Sequence, residues 1–257
     1  ILIVGTNDDW ETEGNDREVL TLPGEQDALI EAVVGENANT IVVNNSGSPV
    51  AMPWLGRVPA MIQTWFAGQE FGNALIDLIS GEANPSGKLP LTFPHRLQDT
   101  PAYTSYPGEY GKVHYGEGVF TGYRWYDTRD IEPLLPFGFG LSYTAFEMTD
   151  LVTDDTDEIF TVKCTVTNIG ERAGQETVQV YVRPIDKSVA RPEKELKGFA
   201  KVNLESGASK TLSIDLDPEA FSHWDIDAAA WRSTKGRYEI IVGNSSRDHR
   251  LSKVVRI

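Results

Sequence analysis

Near residue 146 the spacing of apolar residues changes, and one chain with two spacings needs two ways of burying a core. Beyond Phe146 the beat is two. In "IFTVKCTVTN", Phe160, Val162, Cys164 and Val166 alternate with Thr161, Lys163, Thr165 and Thr167, and the beat returns in "ETVQVYVRP", "TLSIDLD" and "RYEIIVGNSS". Alternation of this kind lines one face of a strand with apolar side chains. Turn stretches such as "NIGERAG" and "LESGASK" separate the runs, which predicts a small antiparallel β-sandwich. Cys164 falls on the inward beat and reads as a buried structural thiol.

Ahead of residue 146 apolar strands alternate with helical patterns. "ILIVG" and "NTIVVNNSGSP" are short β-branched runs that end in turn residues, and "PGEQDALIEAVVGE" between them sets Leu29, Ile30, Val33 and Val34 on one helical face. That is a β-α-β unit. A second helix follows in "VPAMIQTWFAGQEFGNALIDLISGE", although "AMIQTWF" also reads as a further strand ahead of a helix from about Gln69 to Ser80, with Ile76, Leu78 and Ile79 packing on the sheet. "NPSGKLPLTFP" then stops the helix before one more strand. The class is α/β with a largely parallel sheet.

The predicted organisation is an α/β part over 1–102, an aromatic-rich segment over 103–145 and a sandwich over 146–257. The middle segment holds too many Tyr, Trp and Phe residues to stay solvated, so it should pack across both parts or against something outside the chain. The opening "ILIVG" reads as a strand already in progress, without the flanks of a signal peptide, and suggests a piece of a longer chain.

Charge narrows the partners. With 38 Asp and Glu against 23 Lys and Arg, the formal net charge of −15 repels nucleic acid and anionic membrane. No apolar run reaches the length of a membrane span. One cysteine allows no internal disulfide, and His95, His114, His223 and His249 show no ligand spacing, so neither a metal nor another cofactor is expected.

The stretch "WETEGNDREVLTLPGEQDALIEA" puts Glu11, Glu13, Asp16, Arg17 and Glu18 where the first strand gives way to a helix. That is the carboxyl edge of a parallel sheet, where open α/β folds place their ligands. Glu18 and Glu25 read as solvated or capping residues, and Asp16 as a partner of Arg17 or a turn cap. A phosphate loop does not fit, because the segment lacks GxGxxG and its carboxylates repel phosphate. A carboxylate beside an aromatic suits proton transfer instead: Trp10 can wall it from water, and Gly14 can let the backbone run close under a substrate.

Together with this stretch, "NTIVVNNSGSPV", "WFAGQEFGNALIDLISGEANPSGKLPLTFP", "YGEGVFTGYRWYD", "PFGFGLSYTAF" and "RPEKELKGFAKVNL" resemble, in order, the C-terminal half of glycoside hydrolase family 3 β-glucosidases. The resemblance implies an α/β sandwich domain with a mostly parallel sheet, followed by an all-β immunoglobulin-like (fibronectin type III-like) sandwich. It also implies a retaining, exo-acting glycosidase whose Asp nucleophile lies on a barrel, in a Ser-Asp-Trp type motif that this sequence lacks. The general acid/base of many members comes from an "EGxDR" type motif, here Glu13, Gly14, Asn15, Asp16 and Arg17. Glu13 is therefore the expected acid/base, with Glu11 as its rival; Asn15 departs from the aromatic often found there, which bears on a neighbouring sugar contact. Trp10, Glu11 and Arg17 are the expected substrate neighbours, and Arg17 is expected to hold the loop through Asp16. The implied partners are a small β-glucoside or oligosaccharide and the N-terminal barrel of the same protein, with homo-oligomer formation left open.

Other features have plainer readings. Trp65, Phe66, Gln69 and Glu70 fit helix-to-sheet packing, and Tyr115, Phe120, Tyr123, Arg124, Trp125 and Tyr126 fit packing between parts rather than sugar stacking. The Asn44 sequon sits at a strand end and is expected to stay unmodified; that at Asn244 matters only in a secreted protein. From a different class, the alternative function is a non-catalytic carbohydrate-binding or cell-surface module built on the sandwich.

Overall fold

A computed structural model describes residues 1–155, 159–186 and 189–257. The chain forms two compact units: the first takes Ile1–Ser80, Thr92–Tyr115 and Pro133–Leu135, and the second Gly81–Leu91, Gly116–Glu132 and Pro136–Ile257.

In the first unit β1 (Leu2–Gly5), α1 (Gln26–Glu36), β2 (Ile41–Asn45), β3 (Ala60–Gln63) and α2 (Phe71–Ser80) build a parallel sheet of order β1-β2-β3. Central β2 buries Val42, Val43 and Asn44 in succession, as a parallel strand covered on both faces must. Buried Asn44 is held from within by its Nδ2, which donates to Ser46 Oγ at 3.1 Å and Gln63 Oε1 at 2.7 Å, while its Oδ1 has no partner among the described residues. With no exposure of its side chain, Asn44 is consistent with the expectation of an unmodified sequon. Trp54 is fully buried and donates its indole N–H to Asp27 Oδ1 at 2.7 Å, which anchors α1.

One open reading is settled and two local expectations change. "AMIQ" is the strand β3, and α2 buries Leu75 while Ile76 stands 60% exposed. Leu75, Leu78 and Ile79 share the i, i+3, i+4 face, and Ile76 lies about 100° round the helix from Leu75. After "NPSGKLPLTFP" no further strand joins the parallel sheet among the described residues. Pro90 and Pro94 each remove a donor, and only an isolated bridge between Phe93 and Leu135 remains. Glu25 precedes α1 without a side-chain cap bond; Gln26 instead exchanges hydrogen bonds with the backbone of Gly5, at 2.8 and 2.9 Å.

The second unit is the expected sandwich. It contains α3 (Tyr123–Arg129), β4 (Phe146–Asp155), β5 (Phe160–Asn168), β6 (Gly174–Pro184), β7 (Glu195–Leu204), β8 (Ser209–Leu216), β9 (Ser222–Asp225), β10 (Ala230–Ser233), β11 (Arg237–Gly243) and β12 (His249–Arg256). The strands form antiparallel sheets of order β12-β11-β6-β7 and β4-β5-β8, with β9 and β10 as a separate hairpin. Along β5, Phe160, Val162, Cys164 and Val166 face one apolar core with Val178, Val180, Ile214 and Ile240. Burial pushes the Cys164 thiol up, which keeps it protonated and inert.

β6 breaks the alternation by burying Val178 through Val182 without interruption. Its second face is covered by part of the aromatic segment: Tyr123 stacks on Phe137 with centroids 4.9 Å apart and meets Tyr181 edge-on at 5.9 Å. Nearby, buried Asp127 accepts from Lys194 and from Arg247, whose Nε lies 2.7 Å away. Burial lowers the Lys194 ammonium pKa, and Asp127 offsets part of that. Tyr103, Tyr106, Tyr110 and Tyr115, by contrast, are exposed.

Candidate active site

The carboxyl end of β1 is drawn tightly against β2. A Cβ on Gly5 would lie 2.0 Å from the Asn45 carbonyl oxygen, so only glycine fits, and Thr6 N then donates to that oxygen at 3.0 Å. Asn7 turns the chain by accepting the backbone N–H groups of Trp10 and Glu11 at 3.0 and 2.8 Å. At the ends of the three strands, Thr6, Asn7, Asp8, Asp9, Asn45 and Phe66 line an open cleft of about 580 Å³.

Glu11 is a knot of hydrogen bonds. Its Oε1 accepts from Thr6 Oγ1 and from Gly47 N at 3.0 Å, and its Oε2 from Ser48 Oγ at 2.8 Å. Partial burial alone would raise its pKa. The three donors and the Arg17 charge outweigh that and hold the carboxyl below its usual range.

Thr12 and Asn15 then bridge each other, which leaves Glu13 and Gly14 at the tip of a two-residue turn. Glu13 is exposed and has no hydrogen bond or ion pair among the described residues. Gly14 has an ordinary backbone φ, and a Cβ there would meet nothing within 4 Å, so this chain alone gives no reason for a glycine.

The expected Arg17–Asp16 pairing is corrected. Asp16 accepts from the Tyr106 hydroxyl, while Arg17 Nη2 donates to the Pro49 carbonyl at 3.2 Å. No ion pair joins the two among the described residues, and the phenol supplies the bond that the guanidinium was expected to make. Trp10 is half-buried, with its indole nitrogen enclosed and without an acceptor. The structure thus brings Glu11 and Arg17 together electrostatically and leaves Glu13 apart. Thr6, Gly47, Ser48 and Tyr106 carry no local sequence signal for these bonds, since all but Thr6 lie more than 30 residues away along the chain. No group of three or more His, Cys, Asp or Glu among the described residues is placed to hold a metal.

The chain joins a parallel sheet with carboxylates at its exit edge to an antiparallel sandwich, and sequence comparison assigns each part to a known domain. Residues 1–143 match the glycosyl hydrolase family 3 C-terminal domain and residues 176–246 the fibronectin type III-like domain. The chain belongs to glycoside hydrolase family 3. It is 46% identical to thermostable beta-glucosidase B of Acetivibrio thermocellus, over all of this chain and 35% of that one. It is likewise 46% identical to a beta-glucosidase of Rhizobium radiobacter, over all of this chain and 32% of that one. The crystal structure of Kluyveromyces marxianus beta-glucosidase in complex with glucose superposes with a TM-score of 0.96 at 44% identity, covering all of this chain and 31% of its own. The chain therefore spans about a third of the length of the curated relatives it matches.

Proposed function

We propose that this chain is the C-terminal part of a retaining, exo-acting β-glucosidase that hydrolyses terminal non-reducing β-D-glucosyl residues, with Glu13 as general acid/base and the Asp nucleophile on a barrel outside the chain. The observation that carries the reading is the contrast between two carboxylates. Glu11 is committed to three donors that favour its ionised form, whereas Glu13 stands exposed and unbonded at the tip of a turn on the sheet edge. A group that must give a proton and then take one back cannot be locked as a carboxylate.

In a retaining mechanism the two carboxyl groups flank the scissile bond roughly 5 Å apart. Glu13 protonates the glycosidic oxygen as the Asp attacks the anomeric carbon, so the C–O bond breaks while a glycosyl ester forms. Glu13, now ionised, then removes a proton from water, which attacks the same carbon and frees the Asp. Trp10 and Arg17 border the sugar in this reading, and the chemistry calls for no cofactor.

Replacing Glu13 by Ala or Gln in the complete enzyme should cut cellobiose turnover by about 100-fold to 10,000-fold. A nitrophenyl glucoside, whose leaving group needs little protonation, should still form the glycosyl-enzyme and give a burst. Azide should restore turnover of the Ala variant as glucosyl azide. Equal losses on both substrates, with no azide product, would remove Glu13 from this role. Micromolar cellobiose binding by the present chain alone would favour the binding-module alternative.

A further inference from the structure

Among the described residues the turn that carries Glu13 is bridged only by its own Thr12 and Asn15, so its position is set from its flanks. Downstream, the Asp16–Tyr106 bond lies exposed, and Arg17 holds one backbone carbonyl. Upstream, a single carboxylate collects donors from the exits of two strands. Thr6 follows β1, and Gly47 and Ser48 follow β2, 36 and 37 residues along the chain from Glu11.

We propose that Glu11 is the positioning residue of the acid/base turn: its carboxylate ties the exits of β1 and β2 together and thereby fixes where Glu13 stands. The inference rests on the reading of Glu13 as acid/base. Its geometric support is the fit around Gly47, where an added Cβ would lie 2.6 Å from the Phe66 ring and 2.9 Å from Glu11 Oε2. The Gly47 N–H reaches the carboxylate only because nothing larger stands there. From Glu11 to Glu13 the chain spans at most about 7 Å, so little slack separates the clamp from the reacting group. Glu11 itself is poorly placed as an acid, since three donors to its oxygens favour the ionised carboxylate over the protonated acid.

The test uses the complete enzyme with Glu11→Ala, Glu11→Gln and Ser48→Ala. Misplacing an acid by about 1 Å costs on the order of 100-fold, so Glu11→Ala should lose about that on cellobiose and about threefold on a dinitrophenyl glucoside. Glu11→Gln should stay within about threefold of wild type, because its oxygen still accepts from Gly47 and the Ser48 hydroxyl can turn to accept from the amide. Ser48→Ala removes one bond and should shift the substrate ratio the same way by less, which keeps the question answerable if Glu11→Ala does not fold. Azide should not rescue Glu11→Ala, whose Glu13 carboxylate is still present.

Equal loss on both substrates, a loss confined to KM, or azide rescue of Glu11→Ala would each overturn the proposal. Amide hydrogen exchange reads the clamp without reference to catalysis. Residues 12–17 should exchange faster in Glu11→Ala than in wild type, and unchanged exchange would overturn it. If Glu13→Ala shows no leaving-group dependence, the acid/base assignment has failed, and the exchange result alone decides the clamp.

Discussion

β5 of the sandwich and the Glu13 turn are each a short run of residues, held in opposite ways. Along β5 every second side chain enters one apolar core, and neighbours on both sides complete the ladder. Around Glu13 there is no core at all: Glu11, Asp16 and Arg17 hold the loop through polar bonds, and the tip is left free. Dispersion and burial are spread over many atoms, so a strand tolerates the loss of one contact better than a loop tolerates the loss of one of three bonds. Stability should therefore answer to the strand and rate to the loop.

The largest expected effect, on Glu13, should alter turnover with almost no change in Tm; a Tm drop above a few degrees would place structural weight on the tip and break the contrast. Next, Ile240→Ala, at a position with no solvent exposure, should cost about 4 kcal/mol by opening a cavity, read as a lower urea midpoint. The substrate ratio should stay unchanged. Asp127→Ala should cost about 3 kcal/mol, because Lys194 would be left buried without its anion. Lys194→Met in the same chain should recover part of that. Smaller again, Tyr106→Phe should leave Tm within a degree and slow cellobiose turnover about twofold to fivefold, as expected for one exposed hydrogen bond.

Strong acid should weaken the sandwich rim. Asp186 is held at about 2 by the Arg237 guanidinium and backbone N–H. A depressed folded pKa gives stability that is present above the unfolded value near 3.8 and lost as pH falls towards about 2. Denaturation of wild type and Asp186→Asn should therefore differ above pH 3.8 and converge near pH 2. Glu11, also lowered, behaves with the same sign below its usual 4.5, so the clamp should persist through the neutral range.

What the sequence reveals follows the same divide. The beat of Phe160, Val162, Cys164 and Val166 is legible because β5 has one apolar face, and the run in β2 is legible because both its faces are covered. β6 is harder: Gln179 and Tyr181 look outward by alternation, yet both are buried because Gly138, Tyr123 and Phe137 come to cover them from elsewhere in the chain. Pro90 and Pro94 break a segment whose composition otherwise reads as a strand. At the site, Glu13 stands out only through its motif. Glu11 looks like a second candidate for the chemistry until Gly47 and Ser48 are brought to it by parallel pairing, which no local pattern announces.

The order in which the chain visits its two units has a consequence for inheritance. Residues 81–91 and 116–132 belong with the sandwich, while 92–115 and 133–135 belong with the parallel sheet, so the polypeptide passes from one unit to the other five times. A single recombination break anywhere between Gly81 and Leu135 would deliver a gene segment encoding neither unit whole. Fusion partners, duplications and exchanges should therefore have accumulated at the outer ends of this stretch of coding sequence. The two units should therefore be inherited as one cassette, although each has the chain folding around its own kind of sheet.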